Sequence, residues 1–515
     1  MSGPARAQAP GVSSPPSQGG ILRAASTVGS WTLASRVLGL VRDMLNARVL
    51  GDSPAMDAFA LAFRIPNLFR RMFGEGAFAS ALVPVWGDVR RTRSREDASR
   101  WLGSVLTLLG GALVAVVLLQ WGAAGVLRAA GRDLFGVLLF LMAPYALLIC
   151  QTAAWGAVLQ VEGRFASTAF SPVVLNLFWI GALAWALAAG CTSLQDGPRT
   201  AAIVAGSILA AGAVQWTLQV VQARRIGLRP RPGRITIDAD TRRLGTLMLP
   251  MAFGAAVFQV NLLVDSFLAD SLGPGAVSHI HYADRLMELP LGLLGLSLAT
   301  AAFPRLGELL RTGDRAGAAN AVRMALRVSV LMLLPATAGL AILARPILSL
   351  LFEARNFNAE AVGRTAEVLV AYAAGLSAFG VGHLLVRLLQ ASKRPAVAVR
   401  IGVLTVMLKI VLSLWWMVPL REAGLAWATS AGALFQTALL WWAARFYGLL
   451  GEGSGWLRGS LLRALCATAA MSLAVGACSS AAAPLGAAAQ VLAGVPLGIC
   501  IYLLLAGGEL RRARG

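Results

Sequence analysis

Apolar runs of about twenty residues recur along almost the whole chain, separated by short polar stretches. Each run is long enough for a helix to cross ~30 Å of hydrocarbon. We place about fourteen such spans, with cores near 24–47, 57–87, 101–127, 133–160, 169–190, 200–222, 244–269, 277–304, 319–343, 362–390, 397–419, 423–445, 459–479 and 485–506. The short alternating strands of a membrane β-barrel are missing from the pattern. The reading is an all-α polytopic membrane protein.

The polar stretches between spans carry charge in every second position. The second loop holds Arg90, Arg91, Arg93, Arg95 and Arg100, and the sixth holds Arg224, Arg225, Arg229, Arg231, Arg234, Arg242 and Arg243. Arg305, Arg311 and Arg315 follow in the eighth, Lys393, Arg394 and Arg400 in the tenth, and Arg511, Arg512 and Arg514 at the end. Odd loops such as 270–278 and 479–486 are nearly bare. Basic loops stay on the cytoplasmic side, which predicts cytoplasmic even loops and cytoplasmic termini. The odd loop 345–364 has both charge signs and an amphipathic pattern, which predicts a short interfacial helix on the outer surface.

The pattern also repeats. Ala79-Ser80-Ala81-Leu82-Val83-Pro84 with Gly87 and Asp88 matches Ala299-Thr300-Ala301-Ala302-Phe303-Pro304 with Gly307 and Glu308. Leu159-Gln160 with Arg164 and Ala166 matches Leu389-Gln390 with Arg394 and Ala396. Spans 1–6 and 7–12 therefore read as two parallel copies, giving two six-helix lobes with a substrate site between them, plus two C-terminal helices. The predicted organisation is a flexible cytoplasmic tail over 1–20, an N-lobe over 21–224, a basic cytoplasmic loop over 225–243, a C-lobe over 244–446, and two further spans with a basic C-terminus over 447–515.

Composition agrees: 57% of residues are hydrophobic, 13% are charged, and mean hydropathy is +0.70. The formal net charge of +21 resides mostly in the cytoplasmic loops, and no nucleic-acid-binding motif accompanies it. The five cysteines are scattered without metal-ligand spacing, and His279 and His281 have no third ligand beside them, so no metal site is expected. No nucleotide-binding loop, nucleophile elbow or zinc-hydrolase motif appears, so the chain is expected to be a transporter, not an enzyme. With no cofactor, its energy would come from membrane potential or an ion gradient.

Charge inside the spans changes the picture most. A charged side chain at mid-bilayer costs roughly 2.5–3.5 kcal/mol on insertion scales, a cost met where it faces a bundle interior or wet cavity. Arg36 and Arg42 lie in the first span, Arg64, Arg70 and Arg71 in the second, and Arg285 in the eighth. At about 3.6 residues per turn, Arg36 and Asp43 share one face, Ser35 and Arg42 another, with Asn46 one turn beyond Arg42. Asp57, Arg64 and Arg71 form a stripe of period seven, which Asn67, Arg71 and Glu75 continue by fours. Pro66 is expected to kink that helix. Asp284 and Glu288 are one turn apart around Arg285, ahead of Pro290. Internal ion pairs such as Arg71–Glu75 are the plain alternative to a substrate site. Arginine's planar fork suits a diphosphate.

The runs Ser35-Arg36-Val37-Leu38-Gly39-Leu40-Val41-Arg42-Asp43, Asp57-Ala58-Phe59, and Pro66-Asn67-Leu68-Phe69-Arg70-Arg71-Met72-Phe73-Gly74-Glu75-Gly76-Ala77-Phe78 resemble the MurJ (MviN) lipid II flippases. So do Ala283-Asp284-Arg285-Leu286-Met287-Glu288-Leu289-Pro290 and Gly424-Leu425-Ala426-Trp427-Ala428-Thr429-Ser430. This family lies within the multidrug/oligosaccharidyl-lipid/polysaccharide exporter superfamily. The resemblance implies fourteen spans, two lobes around a cationic cavity, the bacterial inner membrane as location, and lipid II (undecaprenyl-diphosphate-linked disaccharide-pentapeptide) as substrate, with membrane lipids and cell-wall synthesis proteins as partners. It assigns Arg36, Arg42 and Arg285 to the diphosphate, and Asp43, Asp57, Arg64, Asn67, Arg70, Arg71, Glu75, Asp284 and Glu288 to gating or charge balance. It also implies a tail groove near spans 13–14. One departure stands out: where some members are thought to bind sodium, this chain has Asp265 with Lys409 and Ser413, so a lysine ammonium is expected in place of the ion. A flippase for another polyprenyl-diphosphate glycan, such as an O-antigen or capsule unit, and a non-transporting scaffold of wall synthesis are the rival readings.

Overall fold

The computed structural model describes residues 18–74, 76–191, 193–230, 235–292, 308–309, 311–312, 314–451 and 455–512. Expectations on the first seventeen residues, on Glu75, on Arg231 and Arg234, and on the 299–304 half of the repeat fall outside them. The chain is all-helical: α1 Gln18–Val49, α2 Pro54–Phe69, a π-type turn Arg70–Gly74, α3 Ala77–Thr92, α4 Arg95–Ala129, α5 Asp133–Val161, α6 Ala166–Ala188, α7 Gly197–Arg225, α8 Ala239–Ser271, α9 Ala276–Pro290, α10 Arg315–Ile342, α11 Ala344–Phe352, α12 Ala359–Ala391, α13 Pro395–Phe446, α14 Gly455–Ala482 and α15 Ala487–Arg512. Among the described residues the only β-type pairing is an isolated bridge between Ala354 and Phe357.

Polar residues at the loop ends start the helices. Ser53 accepts a bond from the Met56 N–H ahead of Pro54, Ser94 caps α4 through Asp97, Asp238 caps α8 through Thr241, and Asn358 caps α12. Each satisfies an N–H that the helix itself leaves unpaired. Among the described residues nine helices are long and apolar enough to cross a membrane. One of them, α13, holds two of the predicted spans, joined at a kink where Arg421 adopts φ 51°, ψ −134°. The helices outside that class are the short α11 and then α1, the interrupted α2–α3, α8 and α9, and these last carry most of the intramembrane charge. Together they are consistent with about fourteen crossings.

One prediction needs correction. The second span is not one helix kinked at Pro66. Pro66 is accommodated within α2, and the break comes later, in the π-type turn Arg70–Gly74 ahead of Gly76. Such turns insert an extra residue into the helical ladder and often mark functional segments. The loop at 345–364 does hold a short amphipathic helix, α11. Its Ala344, Leu348 and Phe352 turn inward, and Phe352, Phe357 and Tyr282 form an aromatic cluster with ring centroids 5.0 and 5.1 Å from Tyr282.

Helices α1 to α7 pack as one bundle, with α5 against α2, α4 and α7 and α6 against α1 and α7. In the second bundle α12 packs on α9, α10 and α13. The last two helices pair with each other and lean on α10. An apolar cluster of Leu343, Met471, Val475 and Tyr502 holds them, and a polar clasp adds to it: Glu509 accepts from Ser460 at 3.1 Å and pairs with Arg327 of α10 and Arg463 of α14. The bundles meet where α3 touches α8 and α2 touches α9.

Candidate functional site

Between the bundles lies a cavity of about 1120 Å³ whose charged lining comes from α2, the π-type turn, α8, α9 and α13. Among the described residues Arg64, Arg71, Arg285 and Lys409 supply four cations, against the three carboxylates Asp265, Asp284 and Glu288. The chamber thus carries a slight positive excess, with Asn67, His281 and His383 also on its wall.

These cations differ in how firmly they are held. Arg285 donates to Glu288 at 3.1 Å and lies 3.8 Å from Asp43, while Arg71 approaches Glu288 to 3.8 Å. The side chains of Arg71, Arg285 and Glu288 are 35%, 31% and 41% exposed, so these pairs are wet and loosely committed. Arg64 donates to Ser266 Oγ across the bundle interface and forms no ion pair among the described residues. Lys409, by contrast, is buried and paired with Asp265. Ser413, one turn on, is buried with its hydroxyl unpartnered.

The first-span arginines sit elsewhere. In this conformation Arg42 does not line the chamber. It is buried, bonded to Asp43 Oδ1 at 2.8 and 3.0 Å and to Asn176 Oδ1 at 3.1 Å, and stacked 4.4 Å over Trp179. Asn176 also donates to the carbonyl of Ser35 at 3.0 Å, so the Ser35–Arg42 stripe is the face that packs on α6. Arg36 lies against Gly292, just after α9, and Asp43 faces Arg285. The Arg36–Asp43 stripe is therefore the one turned towards α9. Arg70 is part-buried outside the lining set.

Asp57 joins α2 to the start of α9 instead of lining the chamber. Its carboxylate accepts from the N–H groups of Gly275 at 2.6 Å and Ser278 at 2.8 Å, and from the Ser278 hydroxyl, capping the positive end of α9. Asn356 donates to the Val49 carbonyl at 2.8 Å, and Tyr282 to that of Gly51 at 3.2 Å. His279 bridges Glu422 and Asp52 at 2.9 and 3.3 Å. Gly51 is required here: at φ +63° an added Cβ would lie 1.8 Å from the Asn356 carbonyl oxygen.

The end of α3 and the start of α8 are joined by side chains. Arg93 pairs with Asp238 at 2.6 Å and with Asp240, Trp101 donates to Asp238 at 3.2 Å, and Arg243 pairs with Asp88 at 2.9 Å. Burial alone would raise the Asp238 carboxyl. The Thr241 N–H and the Arg93 guanidinium outweigh it and hold the group at about 2.

Transporters built from repeats hold their sites at such an interface between bundles. The model of the family described as "Lipid II flippase MurJ" matches residues 46–496. The chain belongs to the MurJ family. A probable lipid II flippase MurJ of Vibrio cholerae serotype O1 is 35% identical over 440 residues, covering 82% of each chain. A lipid II flippase MurJ of Burkholderia cenocepacia is 32% identical over 463 residues, covering 85% of this chain and 86% of the relative. The fold matches a solved structure described as lipid II flippase MurJ in an inward closed conformation, with TM-score 0.78 at 21% identity over 95% of this chain and 99% of the other. It also matches an inward-facing multidrug resistance MATE family transporter of the MOP superfamily, with TM-score 0.68 at 14% identity over 84% and 100% of the two chains. As a MurJ-family member the chain is a multi-pass membrane transport protein and not an enzyme.

Sequence reasoning missed the amide groups of the second bundle, Gln259, Asn261, Gln390 and Gln436, which also line the cavity. One signal was present: Asn261 and Asp265 are one turn apart on α8. The Asn356–Gly51 contact had no local signal at all.

Proposed function

We propose that the chain is a lipid II flippase of the bacterial inner membrane. It carries undecaprenyl-diphosphate-linked disaccharide-pentapeptide from the cytoplasmic to the outer leaflet by alternating access, with both termini in the cytoplasm. The observation that carries the reading is the convergence of Arg64, Arg71 and Arg285 on one chamber between the repeats, in a chain matching the MurJ family over 46–496. Arg64 and Arg285 receive the diphosphate, and Arg71 exchanges Glu288 for it. Arg42 positions Asp43, which restrains Arg285 while the chamber is empty, and Arg36 steadies the α1–α9 contact.

Head-group entry from the cytoplasm requires the inner contacts to part, and release outward requires the outer ones to part. An inside-negative potential favours outward movement of net negative charge by ~2.3 kcal/mol per charge per 100 mV. Lys409, paired with Asp265, provides a tethered cation in the second bundle, so transport is independent of sodium. The last two helices shelter the lipid tail, and cell-wall synthesis proteins consume the product.

The test is complementation of a flippase-depleted bacterium, with lipid II accessibility measured in the outer leaflet. Wild type restores accessibility. Arg285→Ala and the double substitution Arg64→Ala/Arg71→Ala reduce it at least tenfold while the protein remains in the membrane. Full transport by the double variant would overturn the reading.

A further inference from the structure

The chamber is chemically two-sided. Its arginines come from α2, the π-type turn and α9. On the second-bundle side, Gln259 and Asn261 of α8, Gln390 of α12 and Gln436 of α13 present four neutral carboxamides. No side-chain hydrogen bond of these four is found among the described residues. Gln259 and Asn261 are each only 7% exposed, and the Asn261 carbonyl oxygen is buried with no partner. A buried amide left unpaired costs roughly 1–3 kcal/mol, so such groups are retained where something else pairs with them. The charge on this wall is already cancelled, because Lys409 pairs with Asp265 one turn from Asn261.

We infer that this carboxamide wall is the subsite for the uncharged, hydroxyl- and amide-rich part of the head group, and that it sets preference for a glycopeptide-bearing diphosphate lipid over a bare one. The inference rests on the flippase reading above and assigns a different part of the same ligand. A carboxamide offers a donor and an acceptor together, which sugar hydroxyls, acetamido groups and peptide bonds all require. Arginine only donates, so it reads the diphosphate and discriminates poorly among the groups attached to it. A site built to pair with a polar group rejects an analogue lacking it, because its own buried polar atoms are then left unsatisfied. Asn261 is the strongest contributor on this argument, and Gln436, half-buried on the facing helix, is the second.

The experiment measures binding of two ligands, lipid II and undecaprenyl diphosphate, to the full-length protein in nanodiscs. Wild type binds lipid II more tightly. Asn261→Leu weakens lipid II binding about tenfold, the loss expected for one buried polar pairing, and leaves undecaprenyl diphosphate within twofold. Gln436→Leu, at a half-buried position that tolerates the change, shows the same selective loss at smaller size. Arg64→Ala weakens both ligands together. Unchanged undecaprenyl diphosphate binding certifies that each variant is folded. Equal wild-type affinity for the two ligands, or parallel losses of both in Asn261→Leu and Gln436→Leu, or no loss in either variant, overturns the subsite while leaving the flippase reading standing. Saturable binding of neither ligand to wild type removes that reading and the subsite with it.

Discussion

The two bundles are joined at two seams of different chemistry. At the seam of α2 with the start of α9, outer in the orientation proposed above, Asp57 is 5% exposed and bonded to backbone N–H groups, and Asn356 and Tyr282 bond backbone carbonyls around Gly51. At the seam of α3 with the start of α8, inner in that orientation, Arg93, Asp238, Asp240, Asp88 and Arg243 pair through side chains that are 28–51% exposed. Backbone-anchored, buried contacts allow one geometry and lose much when a partner is removed. Solvated ion pairs between long side chains are worth about 0–1 kcal/mol each and are screened by salt. The outer seam therefore sets the register of the bundles, and the inner seam is the one that yields first.

The sharpest way to break this contrast is Asp57→Ala, which strands three donors at the start of α9. Each buried donor left without a partner costs roughly 1–3 kcal/mol. The expected result is a large fall in thermal stability in detergent and fast thiol labelling of a cysteine placed at Ser278. Gly51→Ala comes next, since its Cβ would overlap the Asn356 carbonyl. A cost of about 2–3 kcal/mol should reduce complementation and open the outer seam, and wild-type labelling there would refute the register role. Arg93→Ala should cost about 1 kcal/mol or less. Raising ionic strength should mimic it, with thiol labelling increasing at cytoplasmic positions of α3 and α8 and staying constant at the outer seam.

The smallest effect is the pH response. Asp238 is held below its ordinary value of 3.8, at about 2. A depressed carboxyl stabilises the closed form fully above its ordinary value, and the contribution disappears as pH falls towards 2. Inner-seam labelling should be flat with respect to this group from pH 5 to 8 and rise only below about pH 4. Asp238→Asn should abolish that acid-side rise.

Much of this was legible from local pattern. The apolar runs located the helices within a few residues, and helical period grouped Ser35 with Arg42 and Arg36 with Asp43 correctly. The pattern did not reveal which stripe faces what. The resemblance puts Arg42 at the diphosphate, and only the structure shows that in this conformation Asn176 and Trp179, more than a hundred residues away, hold it. Asp57 shares a period-seven stripe with Arg64 and Arg71, but it stands at the outer end of α2, where the start of α9 offers it better partners. The short helix in 345–364 was legible, but the pairing of Asn356 beyond it with Gly51 crosses some three hundred residues.

The sequence by itself determined the helical class, the spacing of the crossings, the duplication and the set of arginines, because helix period and membrane thickness act on neighbouring residues. Only the tertiary structure decided which arginines meet solvent, that the carboxamides share their chamber, and that the two seams join by different means. Those outcomes depend on how each helix is rotated against distant partners, and that rotation is set by packing between bundles, not by any local stretch of chain.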